Sequence, residues 1–255
     1  MGAGFCKRLL ASGRKVVGFD LDPARRSEAQ ALGVEIVASP AEVARRTRLI
    51  GIAVTTTKAV DAVVSGADGV LGAASAGTIV IDFSTTEIAV TKKLAAALAA
   101  KGVAFIDAPV SGGPPAAEAG TLAIMAGGTK EAIEAARPLA ECLGLFTHMG
   151  DVGAGQATKL VNQALCLTNY CIVAEGLRLA EAYGVDASRI PAALAPGLGN
   201  SAVLQVMMPR MIAQDFAPRG YARQVLKDLE MLTEAGREHH LAVPMVAQAT
   251  TLFRM

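Results

Sequence analysis

The sequence predicts an α/β fold: a doubly wound, mostly parallel sheet over residues 1–150, then an all-α domain over residues 151–255. Three observations carry this. Short apolar runs alternate with helix-length segments as far as Gly150, the rhythm of a sheet covered by helices on both faces. A helix-length pattern then runs from Gly155 to about Tyr183, with Gly176 tolerated inside it and Gly184 ending it. No strand-like run follows.

In chain order, "GAGFCKRLLASG" reads as an amphipathic helix and "KVVGFD" as a strand ending at Asp20. "DPARRSEAQALG" has the marks of a helix capped by Asp22, with Pro23 in its first turn and Gly33 at its end. "VEIV" is a short strand, and "SPAE" is a capping-box pattern that opens the next helix. "RLIGIAV", "GTIVIDFST", "VAFIDAPV", "TLAIMAGG" and "LFTHMG" read as further strands. The helices between them are "KAVDAVVSG", "TEIAVTKKLAAALAAKG" and "TKEAIEAARPLAECLG", while "SGGPPAAEAG" reads as a loop. Four more helical stretches follow Tyr183: "DASRIPAALA", "NSAVLQVMMPRMIAQ", "YARQVLKDLEMLTEAGREHH" and "PMVAQATTLFRM".

Composition narrows the function classes. Apolar residues make up 52% of 255 and charged residues 18%, yet no apolar run reaches the roughly 18 residues of a membrane span. Net charge is +1 with mixed signs, so no nucleic-acid groove or polybasic membrane patch is expected. Cys6, Cys142, Cys166 and Cys171 lack C-x-x-C spacing and sit in helical patterns, which favours reduced thiols and a cytoplasmic setting. The three histidines form no cluster with Cys or Asp, so no metal site is expected.

Three stretches can carry chemistry. Asp20 ends the strand that would be second in a Rossmann-like unit, where an acid accepts the adenosine ribose hydroxyls and repels a 2′-phosphate. Asp22 already fills the helix-cap role, so the expected cofactor is NAD; Arg25 and Arg26 leave NADP open. In "DAPVSGGPPAAEAG", Ser111 offers a hydroxyl, and Gly112 and Gly113 offer unobstructed backbone N–H groups, a combination suited to a carboxylate. In "GAGQATKLVNQAL", Lys159, Asn162 and Gln163 share one helical face. Spacing alone leaves Lys159 open between a proton-transfer group, its pKa lowered by burial, and a solvated lysine in a polar stripe. Lys227 and Asp228 in "QVLKDLEML" read as surface residues on spacing alone.

Taken together, "DAPVSGGPPAAEAGTLAIMAGG", "GAGQATKLVNQ" and "KDLEML" resemble the substrate-binding, catalytic-lysine and C-terminal motifs of the β-hydroxyacid dehydrogenase family, in the same order. The resemblance implies reversible hydride transfer between a nicotinamide cofactor and a small 3-hydroxy acid or semialdehyde. It implies Lys159 as acid/base, and Ser111, Gly112, Gly113, Asn162 and Gln163 as the grip on a small carboxylate substrate. It also implies that Gly2, Asp20, Val54, Thr55, Thr85 and Lys227 line the cofactor, with Thr85 near the nicotinamide ribose. A homodimer or homotetramer is expected, because the long helix resembles one that family members bury against a partner.

The family pattern begins with a strand and a G-L-G-x-M-G turn, of which Met1 and Gly2 match the last two residues. The expectation is therefore a chain lacking its first strand, which binds NAD weakly or not at all and folds poorly. Two enzymatic alternatives rank lower. Imine reducers replace the lysine that is kept here, and a sugar-acid phosphate decarboxylase relative carries His where Val161 stands. The alternative of another class is a non-catalytic binding or scaffold protein, or an inactive truncated form.

Overall fold

The computed structural model describes residues 1–217 and 220–255. The chain divides into two compact units, Met1–Lys159 and Leu160–Met255.

The first unit opens with helix α1 (Gly2–Ala11), strand β1 (Val17–Gly18), α2 (Pro23–Ala31), β2 (Glu35–Ile36) and α3 (Pro40–Arg46). Local chemistry sets these boundaries. Asp22 accepts the N–H of Ala24 and Pro23 occupies the first turn of α2, where its missing N–H costs nothing. Ser39 accepts the N–H of Glu42, while the Glu42 carboxylate reaches back to the N–H of Ala38. That is a capping box displaced by one residue at its return bond. Strands β1 and β2 form a separate parallel pair.

Next come β3 (Leu49–Ile52), α4 (Thr57–Ser65), α5 (Val70–Ala73), β4 (Ile79–Asp82), α6 (Ile88–Ala99) and β5 (Ala104–Asp107). Strands β3, β4 and β5 are parallel neighbours. Their side chains alternate between two cores, as the pleat requires. Val80 and Phe105 join Val60 and Val64 of α4 and Leu94 and Leu98 of α6. Ile81 and Ile106 join the opposite cluster, with Phe5 of α1 and Ile133. These are the two covered faces of a doubly wound sheet.

The rest of the unit departs from a uniform parallel order. After β6 (Val110–Ser111) come α7 (Gly113–Ala119), β7 (Leu122–Gly127), α8 (Lys130–Ala140) and β8 (Gly144–Gly150). Strand β7 runs antiparallel to β5 and β6 and parallel to β8. The sheet is therefore mixed, parallel through β3–β5 with β7 and β8 reversed. The stretch read as a loop, "SGGPPAAEAG", contains α7, with Pro114 and Pro115 in its first turn. Proline is accommodated there because first-turn N–H groups have no partner within the helix.

Helix α9 (Ala154–Ala182) begins in the first unit and continues into the second, where α10 (Ile190–Leu194), α11 (Ala202–Ile212), α12 (Ala222–Glu238) and α13 (Pro244–Arg254) follow. The second unit has two small cores. Leu167, Leu229, Leu232, Val246 and Ala249 form one, and Val173, Leu177, Leu204 and Met208 form the other. Among the described residues no helix is long and apolar enough to cross a membrane, and no group of three His, Cys, Asp or Glu side chains could hold a metal ion.

Candidate active site

Ligands of open α/β sheets sit beyond the carboxyl ends of the strands. The sequence-derived candidates of the first unit follow that rule. Asp20 lies just past β1, Val54 and Thr55 just past β3, Thr85 just past β4, and Ser111 to Gly113 in the segment after β5.

Gly2 is the first residue of α1, whose N-terminus has no side-chain cap. Asp20 is exposed; one of its carboxylate oxygens accepts the N–H of Asp22. Arg26 donates to the carbonyl oxygens of Asp20 and Leu21, at 2.7 and 3.2 Å, and so holds this turn in place. Arg25 is paired with Glu28 at 2.8 Å. The N–H of Val54 donates to Ser84 Oγ at 3.0 Å, which ties the loop after β3 to the loop after β4. An exposed carboxylate just past the carboxyl end of β1 is a group that can accept the hydroxyls of a ribose.

The backbone at Gly112 and Gly113 is left-handed, with φ of +126° and +71°. A side chain at Gly112 would place Cβ 2.6 Å from the Cβ of Ala116. Glycine is therefore required at 112 on both conformational and steric grounds. Pro114 and Pro115 carry no N–H, so the backbone donors at this corner are those of Gly112 and Gly113.

Lys159 is buried, with 7% of its surface exposed. Its Nζ donates to the carbonyl oxygen of Val110 at 2.8 Å, one residue before Ser111. The structure thus brings the lysine and the Ser-Gly-Gly segment together within the first unit. The solvated-stripe reading of this lysine does not hold, since the side chain is buried and its Nζ donates to the Val110 carbonyl.

In the second unit, Asn162 donates to Gln163 Oε1 at 2.8 Å, and Gln163 Nε2 donates to the Asp228 carboxylate. Lys227 lies 3.0 Å from Asp228 Oδ1. Spacing alone made Asp228 a surface residue; it is buried, because Gln163 and Lys227 supply the partners a buried carboxylate needs.

Sequence reasoning passed over the buried network behind these loops. Asp82 accepts from Ser84 N–H at 2.9 Å and from Thr86 Oγ1 at 2.7 Å. Gln156 accepts the Thr86 N–H at 3.0 Å and donates to the Ser84 carbonyl at 2.9 Å. Asp107 accepts the N–H groups of Gly153 at 2.7 Å, just before α9, and of Gln156 at 2.8 Å, in its first turn. Burial pushes the Asp107 carboxyl up to about 6, against these hydrogen bonds and helped by the neighbouring Asp82 charge. Its only sequence signal was an acid at the end of an apolar strand.

The chain matches two family models. Residues 1–153 match the NAD-binding domain of 6-phosphogluconate dehydrogenase, and residues 153–255 match the "NAD-binding of NADP-dependent 3-hydroxyisobutyrate dehydrogenase" model. The chain belongs to the β-hydroxyacid dehydrogenase family. Among the relatives of this dehydrogenase, 2-(hydroxymethyl)glutarate dehydrogenase of Eubacterium barkeri is 34% identical over 99% of this chain and 85% of its own. The 3-hydroxyisobutyrate dehydrogenase of Mycobacterium tuberculosis, solved with L-serine, superposes with a TM-score of 0.88 at 29% identity. That match covers 100% of this chain and 89% of the other. Psf3, solved with NADP+ and 2-OPP, superposes with a TM-score of 0.92 at 26% identity over 100% of this chain and 90% of its own. The protein is a nicotinamide-dependent oxidoreductase of hydroxy acids that uses NAD or NADP, and these likenesses disfavour a non-catalytic scaffold role.

Proposed function

We propose that the enzyme interconverts a small 3-hydroxy acid and its carbonyl counterpart, with Lys159 as the acid/base. The observation that carries this is the lysine itself, buried and hydrogen-bonded to Val110 beside Ser111. When bound, the nicotinamide supplies or accepts the hydride. Neutral Lys159 takes the hydroxyl proton in oxidation, and its ammonium returns it in reduction. Ser111 and the N–H groups of Gly112 and Gly113 grip the substrate carboxylate with donors that need no reorganisation. Asn162 adds an amide. Gln163, both ends of whose amide are engaged by Asn162 and Asp228, fixes the orientation of Asn162.

Gly2, Asp20, Val54, Thr55 and Thr85 hold the cofactor, and Lys227 lies at its nicotinamide end. Asp20 favours NAD, since its carboxylate would repel a 2′-phosphate. The same reading includes a homodimer or homotetramer. Val161, Leu165, Ile172, Leu179 and Tyr183 are exposed along α9 at spacings of four and seven residues. Ile172, Leu179 and Tyr183 line a groove of about 430 Å³ together with Val173, Leu204 and Met208. An apolar stripe of this length fits a second copy of the chain. A reducing, cytoplasmic setting accords with cysteines that follow helical rather than disulfide-framework spacing.

The test is Lys159→Ala. Turnover should fall by about 100-fold or more, while the dissociation constant for the nicotinamide cofactor stays within about threefold. Persistent turnover would show that another group moves the proton.

A further inference from the structure

Three pieces of the first unit meet at two side chains. Asp107 ends β5 and accepts from the amides of Gly153 and Gln156 at the start of α9. Gln156 donates one of those amides and sends its own side chain to both sides of the loop after β4, at Ser84 and Thr86. Both residues are buried, Asp107 completely and Gln156 to within 1%. The packing leaves no slack around them. A Cβ at Gly127 would lie 2.6 Å from Asp107 Oδ1, and one at Gly155 would run into the Asp107 and Met125 carbonyls.

The spacing turns these contacts into a frame. Asp107 holds Gln156 at 2.8 Å, and Val110 holds Lys159 at 2.8 Å. The two rungs are three residues apart on each rail, one rail being the segment that leads to Ser111, the other the first turns of α9. A helix start needs no buried charge to satisfy its amides; a Ser, Thr or Asn at its own N-cap would do so locally. A carboxylate delivered from a strand instead fixes the helix to that strand.

We propose that Asp107 and Gln156 are positioning residues. Together they set Lys159 against the Ser111 segment, and Gln156 ties the Ser84–Thr86 loop to the same helical turn. The proposal rests on Lys159 being the acid/base. A group misplaced by an ångström can lose about 100-fold in rate with its binding partners intact.

The test uses Gln156→Met, which keeps the backbone N–H and the side-chain volume, and Asp107→Asn, which leaves one of the two amides without an acceptor. Three quantities are read on the full chain: kcat and KM for the hydroxy acid, the solvent isotope effect on kcat, and hydrogen exchange of the amides of residues 153–157. Both variants should lose about 10- to 100-fold in kcat, with KM within threefold, a larger solvent isotope effect and faster exchange at these amides. Wild-type kcat, or a lower kcat with unchanged exchange, overturns the proposal. Gln156→Met carries the test alone if Asp107→Asn does not fold. In a Lys159→Ala background, adding Gln156→Met should cost less than twofold more, because residues acting through one group are not additive. A further tenfold loss there overturns the proposal. Wild-type turnover by Lys159→Ala would remove the lysine reading and the proposal with it, whereas an inactive Lys159→Ala beside a fully active Gln156→Met removes the proposal alone.

Discussion

Asp107 receives the backbone N–H of Gly153 at 2.7 Å although its side chain is fully buried. Desolvation outweighs the hydrogen bonds, and the folded-state carboxyl titrates at about 6 instead of 3.8. A pKa raised in the folded state means that the native protein binds the extra proton first. The associated stability is complete below the unfolded value and lost as pH rises through the folded one. Urea unfolding should therefore show wild type losing up to roughly 3 kcal/mol relative to the non-titrating Asp107→Asn as pH rises from 4 to 7.5. Parallel stability curves for the two proteins would contradict this.

Gly112 cannot become alanine without cost. Its φ of +126° is strained for any side chain, and the new methyl group would meet Ala116. Gly112→Ala should disturb the carboxylate grip by about 1–3 kcal/mol, read as a rise in KM of roughly 5- to 150-fold for the hydroxy acid, with cofactor affinity unchanged. An unaltered KM would separate this corner from the substrate.

Asp20→Ser should weaken NAD by the worth of hydrogen bonds to a charged acceptor, about 1.5–3 kcal/mol, and should weaken NADP less. Calorimetric titration with both cofactors decides it. Equal affinity of wild type and variant for NAD would remove Asp20 from the cofactor site.

Leu165 is 70% exposed in the middle of the α9 stripe. Leu165→Arg should move the sedimentation coefficient from that of a dimer or tetramer to that of a monomer at micromolar concentration. A wild-type protein that already sediments as a monomer would refute the stripe as a self-association surface.

Much of this molecule was legible in its sequence because the informative signals are local. Pro23 with Asp22 and Ser39 with Glu42 fix helix starts over three or four residues. The alternation of apolar strands with helices likewise gave the doubly wound half. What escaped depends on residues far apart in the chain. Asp107 meets partners 46 and 49 positions away, and Gln163 meets Asp228 across 65 positions. Nothing near either acid announces that it will be buried. Helix α7 was hidden for a different reason. Its first turn holds two glycine-φ corners and two prolines, all loop signals, and the helix-forming "AAEA" that follows is short. The reversal of β7 was hidden as well, since a buried apolar strand reads alike in either direction.

The guanidinium groups beside Asp20 are already spoken for. Arg25 answers Glu28, and Arg26 clamps the carbonyls of the turn. A changeover of coenzyme therefore has a short path in sequence space. Removing the acid at 20 and the acid at 28 would leave Arg25 facing only Asp22, next to an Arg26 that still braces the turn. If Asp20 reads the ribose as proposed, coenzyme choice rests on surface side chains that touch neither Lys159 nor the Ser111 corner.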